Sequence, residues 1–318
     1  MKSLTFIEID VPSFVPQTPE AVTTWRFAQA TDYLPRGEAF DAIPSITSVA
    51  FTPATISLGQ DLGMRASLKV VFSDHRHIMA AEPFTSGTFW GKWRARYGTR
   101  LRGRPIRWIN GLLGQSLAQM EIRHFIIDST DGPTPQGQYT ITAKDALKLA
   151  DGDRAQAPVL SRGSLVGAID ADDATLTLTP AGIGTIDYPA SGHVALGGEE
   201  IVAFTRDGDV MTLTRGQFNT APAGHDAGAR VQLCRYYQGE DPADIIADLF
   251  ITYAGIPPAY IPLAAWKQET AAYLQRVYTA LIAEPTDVVD LVSELVEQAA
   301  LAIWWDPIGQ QVRLQVLR

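Results

Sequence analysis

Cysteine is nearly absent: the 318 residues hold one, Cys234. A lone thiol cannot build an internal disulfide framework and cannot by itself supply a zinc or iron–sulfur site. This suits a chain made and folded in a reducing cytoplasm. Long apolar runs are missing too. No stretch reaches the roughly 18 residues of a membrane-spanning helix, and Met1–Asp10 (MKSLTFIEID) lacks the apolar core of a signal peptide. Gly-x-Ser-x-Gly, His-Glu-x-x-His and P-loop patterns do not occur. Gly182-Ile183-Gly184 lacks the third glycine of a dinucleotide fingerprint. Charge is sparse at 19%, with a net of −9 and a pI of about 5.0; an acidic balance argues against the whole chain gripping nucleic acid. What remains is an ordinary globular composition, 46% hydrophobic, long enough for two or three domains.

The first half reads as strands. Arg65–Asp74 (RASLKVVFSD) puts Ala66, Leu68, Val70 and Phe72 on one face and polar residues on the other. Ile46–Phe51 and Thr55–Leu58 flank Pro53, where a turn or bulge is expected. Ile106–Leu113, Met120–Asp128 and Gln138–Ala143 are further strand segments, the last two bracketing the turn-rich Asp131–Pro135. An antiparallel sheet or barrel is the simplest solution. After a polar stretch at 144–164 come five short segments, Ala174–Thr179, His193–Leu196, Glu200–Thr205, Val210–Thr214 and Arg230–Tyr236, with Asp207-Gly208 as a hairpin signal. They fit a small inserted barrel or sandwich. Asp241-Pro242 then reads as a helix cap with proline at the first helical position. The helix stops at Gly255 and Pro257-Pro258. A second helix starts near Thr286, its apolar stripe running from Val288 to Ala299; Gln275–Ala283 between them is a strand candidate. Trp304–Gly309 turns into a last strand, Gln311–Leu317. The expected class is α+β, mostly β: a barrel domain over 1–160, an inserted β-domain over 161–236 and an α/β segment over 237–318. A chain ending on a strand leaves an edge to be covered, so the natural protein is expected to continue or a neighbouring subunit to complete the sheet.

Four places invite chemistry. Asp74-His75-Arg76-His77 has two histidines at i, i+2, but no third ligand is evident and the arginine is a poor neighbour for a cation, so a polar strand exit is the plainer account. Asp170-Ala171-Asp172-Asp173 fails the calcium-loop pattern, because Thr175 and Ala181 stand where glycine and glutamate are needed; a solvated turn is expected. Glu199-Glu200 could be half of a glycosidase pair, yet no second carboxylate is located and adjacent strand residues face opposite ways. His225 lies in a loop with no assignable serine or cysteine partner. No catalytic residue, metal or cofactor is expected.

The sharpest charge feature is Lys92-Trp93-Arg94-Ala95-Arg96-Tyr97, continuing through Arg100, Arg102, Arg104 and Arg107, with no acid and with Trp90 and Trp108 interleaved. Bases among aromatics serve single-strand binders; they also anchor protein interfaces. A contact with an acidic patch on a neighbouring subunit is favoured over a solvated loop or a nucleic-acid site. Lys92, Trp93, Arg94, Arg96, Tyr97, Arg100, Arg102 and Arg104 are its expected residues.

Several stretches resemble the baseplate hub, or tail-tip, proteins of long-tailed bacteriophages. They are Ile43–Gly59 (IPSITSVAFTPATISLG), Leu62–His77, Gly87–Lys92, Ile141–Ala150 and Asp290–Trp305 (DLVSELVEQAALAIWW). Gly198–Ile201 and Leu213–Ala221 with His225 are similar to a small β-domain inserted in many tail proteins. The resemblance implies a tail-tube-like barrel with smaller domains and a homotrimeric ring joining tail tube to tip. It implies neighbours among the distal tail, tape measure and tip or fibre proteins, and genomic DNA passing through without being read. It implies a structural virion protein of the tail tip, not an enzyme. Relatives often carry a cysteine-rich stretch, some with an iron–sulfur cluster; here its place is taken by Val11–Val22, without cysteine, so no cluster is expected. Alternatives are the hexameric distal tail ring, a tail-borne cell-wall hydrolase, or a carbohydrate-binding tip module.

Overall fold

The computed structural model describes residues 3–12, 22–29, 41–76, 87–151 and 155–318. The fold is α+β and mostly β. Two compact units are present, one made of residues 1–57, 63–149 and 303–313, the other of 58–62, 150–302 and 314–318.

The first unit is a closed seven-stranded barrel. Its strands are β1 (Ser3–Pro12), β2 (Val22–Gln29), β3 (Ile43–Thr52), β4 (Ser67–Ser73), β5 (Pro105–Leu112), β6 (Glu121–Asp131) and β7 (Gln138–Lys144), in the order β1-β2-β3-β4-β7-β6-β5. Neighbours are antiparallel except β2 and β3, which run parallel. The alternation expected for 65–74 is observed: Ala66, Leu68, Val70 and Phe72 point into the barrel. Thr55–Leu58 is not a strand; the amide of Thr55 donates to Met64 O at 3.1 Å, closing a loop after Pro53. The interior is solid, because helix α1 (Phe89–Tyr97) sends Phe89, Trp90, Trp93 and Tyr97 into the same core as Ile7, Ile9 and Phe27. A smaller apolar cluster, Leu4, Phe6, Ala28, Ile109 and Met120, covers the outer face near one end.

In the second unit, β8 (Gln156–Ala157) precedes a six-stranded sheet. That sheet holds β9 (Ser164–Leu165), β10 (Thr175–Thr179), β11 (Ser191–Leu196), β12 (Glu200–Asp207), β13 (Val210–Gln217) and β14 (Val231–Leu233), ordered β14-β11-β12-β13-β10-β9. A bridge from Ser164 to Arg230 brings its two ends together, so the module is a nearly closed barrel. The short helix α2 (Ile183–Asp187) lies between β10 and β11, and Ile183 joins the core of Leu176, Val194, Phe204 and Met211. Gly208, at φ 59°, makes the β12–β13 turn that Asp207-Gly208 predicts. The run expected over Arg230–Tyr236 is split: after β14, β15 (Arg235–Glu240) pairs instead with β16 (Tyr278–Ile282).

Helix α3 (Pro242–Asp248) begins as its cap predicts, with Asp241 Oδ1 accepting from the Ala243 amide at 2.8 Å. Its second oxygen accepts from the hydroxyl of Thr270, at 2.8 Å, on α4 (Leu263–Tyr273), a helix the sequence pattern does not announce. Asp241→Ala is therefore expected to cost about 1–2 kcal/mol, read as a lower denaturant midpoint for the second unit. β17 (Thr286–Asp287) pairs with β8 and leads into α5 (Val288–Gln298), with Val288, Val292, Leu295 and Val296 buried. A hairpin of β18 (Leu301–Asp306) and β19 (Gln311–Val316) ends the chain. Its turn is held by Asp306 Oδ1, which accepts from the amides of Ile308 at 3.1 Å and Gly309 at 2.8 Å.

Candidate functional site

The basic segment singled out in the sequence is not a loop. Thr88 caps α1 by accepting from the Gly91 amide at 3.3 Å. The start of the helix is tied down further: the amide of Phe89 donates to His75 O at 2.8 Å, and that of Trp90 to Asp74 Oδ1 at 2.9 Å. Trp93 and Tyr97, expected in an interface, are 3% and 5% exposed and belong to the barrel core. Aromatics at 89, 90, 93 and 97 share one side of the helix, and apolar rings gain most by leaving water. The arginines therefore face out. Arg94, Arg96, Arg100 and Arg102 are exposed, and Lys92 and Arg104 half-buried. An open concavity of about 550 Å³ is lined by Arg94, Arg96 and Arg100 with Thr99 and Thr130. Arg94 is held by donating to Gly132 O at 2.8 Å. The result is a basic surface on a rigid base, since the aromatics that carry it are fixed inside the barrel.

Arg107, the end of the same basic run, is spent elsewhere. It lies opposite Glu8 across β1 and β5, donating to Glu8 Oε2 and to both oxygens of Asp10, each at 2.7 Å. Arg26 on β2 reaches Glu8 Oε1 from the other side, 2.8 Å from Nε. Burial alone would raise the Asp10 pKa, but the hydrogen bonds from Arg107 and Thr24 outweigh it and hold the carboxyl below its ordinary value. His124, beside Arg107 on β6, is lowered by burial and by that positive charge.

A second polar cluster brings together Glu200 and His225, which the sequence marks separately, with Arg215, which it does not mark. Glu200 is fully buried. Its Oε1 accepts from Arg215 Nε at 2.8 Å and the Gly216 amide at 3.1 Å. Its Oε2 accepts from Arg215 Nη2 at 2.7 Å and the Ala223 amide at 3.1 Å, and lies 3.0 Å from His225 Nε2. Arg215 also donates to the carbonyls of Asp170 and Asp173, at 2.8 and 3.1 Å. One signal pointed here: on β12, Glu200 falls on the same face as Val202 and Phe204, which enter the module core, and a buried carboxylate needs partners. With both oxygens already occupied, Glu200 is a staple between β12, β13 and two loops, not a free base. His225 is thereby a structural residue of the module.

The remaining sites resolve as follows. His75 stacks on Phe89, ring centroids 5.2 Å apart; His77 lies outside the described residues. Asp170–Asp173 is an exposed turn closed by the Asp170 amide on Asp173 Oδ2, 2.7 Å. Cys234 is buried, its thiol pushed up to about 12 by burial. On the module surface His193, Phe218 and Tyr236 meet edge to face, at 69–76°, so they share no flat platform for a sugar ring. Among the described residues no group of three or more His, Cys, Asp or Glu side chains is placed to hold a metal, and no helix is long and apolar enough to cross a membrane.

No protein-family model matches the chain, and no curated protein matches it. Among solved structures it is similar to a chain in the virion of a native gene transfer agent particle. The identity is 14% and the TM-score 0.26, with 72% of this chain and 77% of that one covered.

Proposed function

We propose that this chain is a non-enzymatic structural subunit of a phage-like virion, the baseplate hub whose copies form a ring joining tail tube to tail tip. The observation that carries the reading is the basic surface of α1 and the turn after it: exposed Arg94, Arg96 and Arg100 around one concavity, with exposed Arg102 two residues further on, over a frame of buried Phe89, Trp90, Trp93 and Tyr97. Arginines projecting from a backbone anchored in a packed core suit protein interfaces, since the planar guanidinium forms paired hydrogen bonds to carboxylates. The sequence resemblance to hub proteins supports the same reading. Because the barrel is filled with side chains, DNA in such a ring passes between copies and not through the barrel. No cofactor takes part in this role. Its neighbours are the distal tail, tape measure and tip or fibre proteins.

Copy number in intact particles, read by electron cryomicroscopy, tests it. Three copies around the tail axis support the hub. Six would move the chain to the distal tail ring. Absence from particles, or cleavage of purified cell wall, would sink the structural reading. Arg94→Glu with Arg102→Glu is expected to lower incorporation into particles by on the order of 10-fold or more, measured as this chain's share of particle protein, without lowering the melting temperature of the free chain.

A further inference from the structure

Charge is unevenly divided along the chain. Residues 1–150 carry 16 Lys+Arg against 13 Asp+Glu; residues 151–318 carry 10 against 22. Two segments are extreme. From Gly87 to Met120 there are seven bases and no acid; from Val277 to Val312 there are six acids and no base. The first contains the arginine-lined concavity. The second contains α5, where Asp290, Glu294 and Glu297 are exposed. Their i, i+4, i+7 spacing sets all three on one face, opposite the buried Val288, Val292, Leu295 and Val296.

Asp290 suits the first turn of α5, but the rest of the stripe works against its own helix. Like charges four apart repel, and Glu297 stands in the last turn, where the helix dipole favours a cation. Among the described residues none of the three carboxylates forms an ion pair with a lysine or arginine, and Glu294 only accepts from Gln298, at 2.9 Å. On the other side, Arg94 and Arg102 pair with no carboxylate among the described residues. A stripe spanning about 10 Å of helix and an open concavity of about 550 Å³ are matched in sign and comparable in scale.

We infer that the arginine face of one copy receives the acidic face of α5 from the next copy. The two patches differ, so the contact is heterologous: each copy offers one patch forward and one back. A contact of this kind repeats around a ring if the rotation closes. The inference rests on the subunit reading above for its setting, and it adds which surface of the neighbour is bound.

Sedimentation velocity of the purified full chain over a salt series is the test. Three variants are compared with the parent: Arg94→Glu/Arg102→Glu; Glu294→Lys/Glu297→Lys; and all four changes in one chain. The lysines fall near the helix C-terminus, where they favour α5, so a lost contact is not a lost fold. The parent should self-associate, more weakly as salt rises. Each reversed pair should weaken association on the order of 10- to 100-fold, and the fourfold variant should recover it. A chain carrying Arg102→Cys and Glu294→Cys should give interchain disulfide-linked species under oxidation; buried Cys234 gives the background. The inference is overturned if the parent stays monomeric at low salt and the highest attainable concentration, if the fourfold variant does not recover, or if a single-stranded oligonucleotide binds Arg94 and Arg102 in place of a second copy. Reversed variants that enter particles normally would remove this contact and the expected incorporation defect together, while three copies around the tail axis would still support the hub. Salt-sensitive association of a chain absent from particles would do the opposite.

Discussion

Glu200→Gln is expected to lower the stability of the second unit by about 3–5 kcal/mol, because removing one member of a buried ion pair strands the other charge. For a unit of this size that is a fall in melting temperature of roughly 6–20 °C. Arg215 has a side chain only 10% exposed, and Glu200 is its sole carboxylate partner among the salt bridges of the described residues. The amides of Gly216 and Ala223, which donate to Glu200, should lose hydrogen-exchange protection first. Glu200→Gln combined with Arg215→Met should recover part of the loss, since no buried charge is then left alone. Unchanged stability in the single variant would show that the cluster is not a staple.

The same cluster sets an acid limit. Burial by itself would raise the Glu200 pKa; hydrogen bonds from Arg215, His225 and the two amides outweigh burial and bring it down to about 2. A carboxylate with a depressed folded-state value stabilises the fold above its unfolded value, near 4.5. That contribution, about 3 kcal/mol, is lost progressively as pH falls from about 4.5 towards 2. Denaturation followed over this range should show a steeper loss in the parent chain than in Glu200→Gln, where the other depressed carboxylates, Asp10, Asp187, Asp209 and Asp306, still contribute.

Trp90→Ala carries the other large effect, about 3–5 kcal/mol against the barrel. Trp90 is fully buried. It stacks on Tyr139 at a centroid distance of 4.6 Å and meets Phe72 at 4.4 Å and Phe27 at 5.1 Å. Its indole N–H has no partner among the described residues, so Trp90→Phe should be far milder, within about 2 kcal/mol, the lost volume being offset by removal of an unpaired donor. Because α1 carries Arg94 and Arg96 and leads into Arg100, Trp90→Ala should also weaken self-association with every arginine still present, while Trp90→Phe preserves it. Hydrogen exchange across residues 89–97 would separate a loosened helix from a wholly unfolded barrel. Protection of that helix equal to the parent's in Trp90→Ala would refute its dependence on the core.

Part of this architecture is written locally. The alternation of Leu68, Val70 and Phe72, the Asp207-Gly208 turn, the Asp241 cap and the stripe of α5 depend on near neighbours along the chain, and each forms where the pattern predicts. Other elements have no local signature. β1 buries Leu4 and Phe6 on its outer face as well as Ile7, Ile9 and Val11 on its inner one, so no alternation is visible. α4 buries chiefly Trp266 and Thr270 and shows little amphipathic contrast. In α1 the arginines suggested an open basic segment, because nothing in the string tells that Trp93 and Tyr97 have a barrel to enter. The parallel pairing of β2 with β3, the pairing of β15 with β16 instead of continuation in the module sheet, and the meeting of Glu200, Arg215 and His225 are likewise silent. The sequence by itself determined a mostly β chain with one thiol, an acid excess and one conspicuous basic run. Tertiary structure decided which of those bases face water and which carboxylates lie buried among donors. The physical reason is that periodicity and caps are interactions over a few residues, whereas barrel closure and ion-pair choice depend on partners brought together from distant parts of the chain.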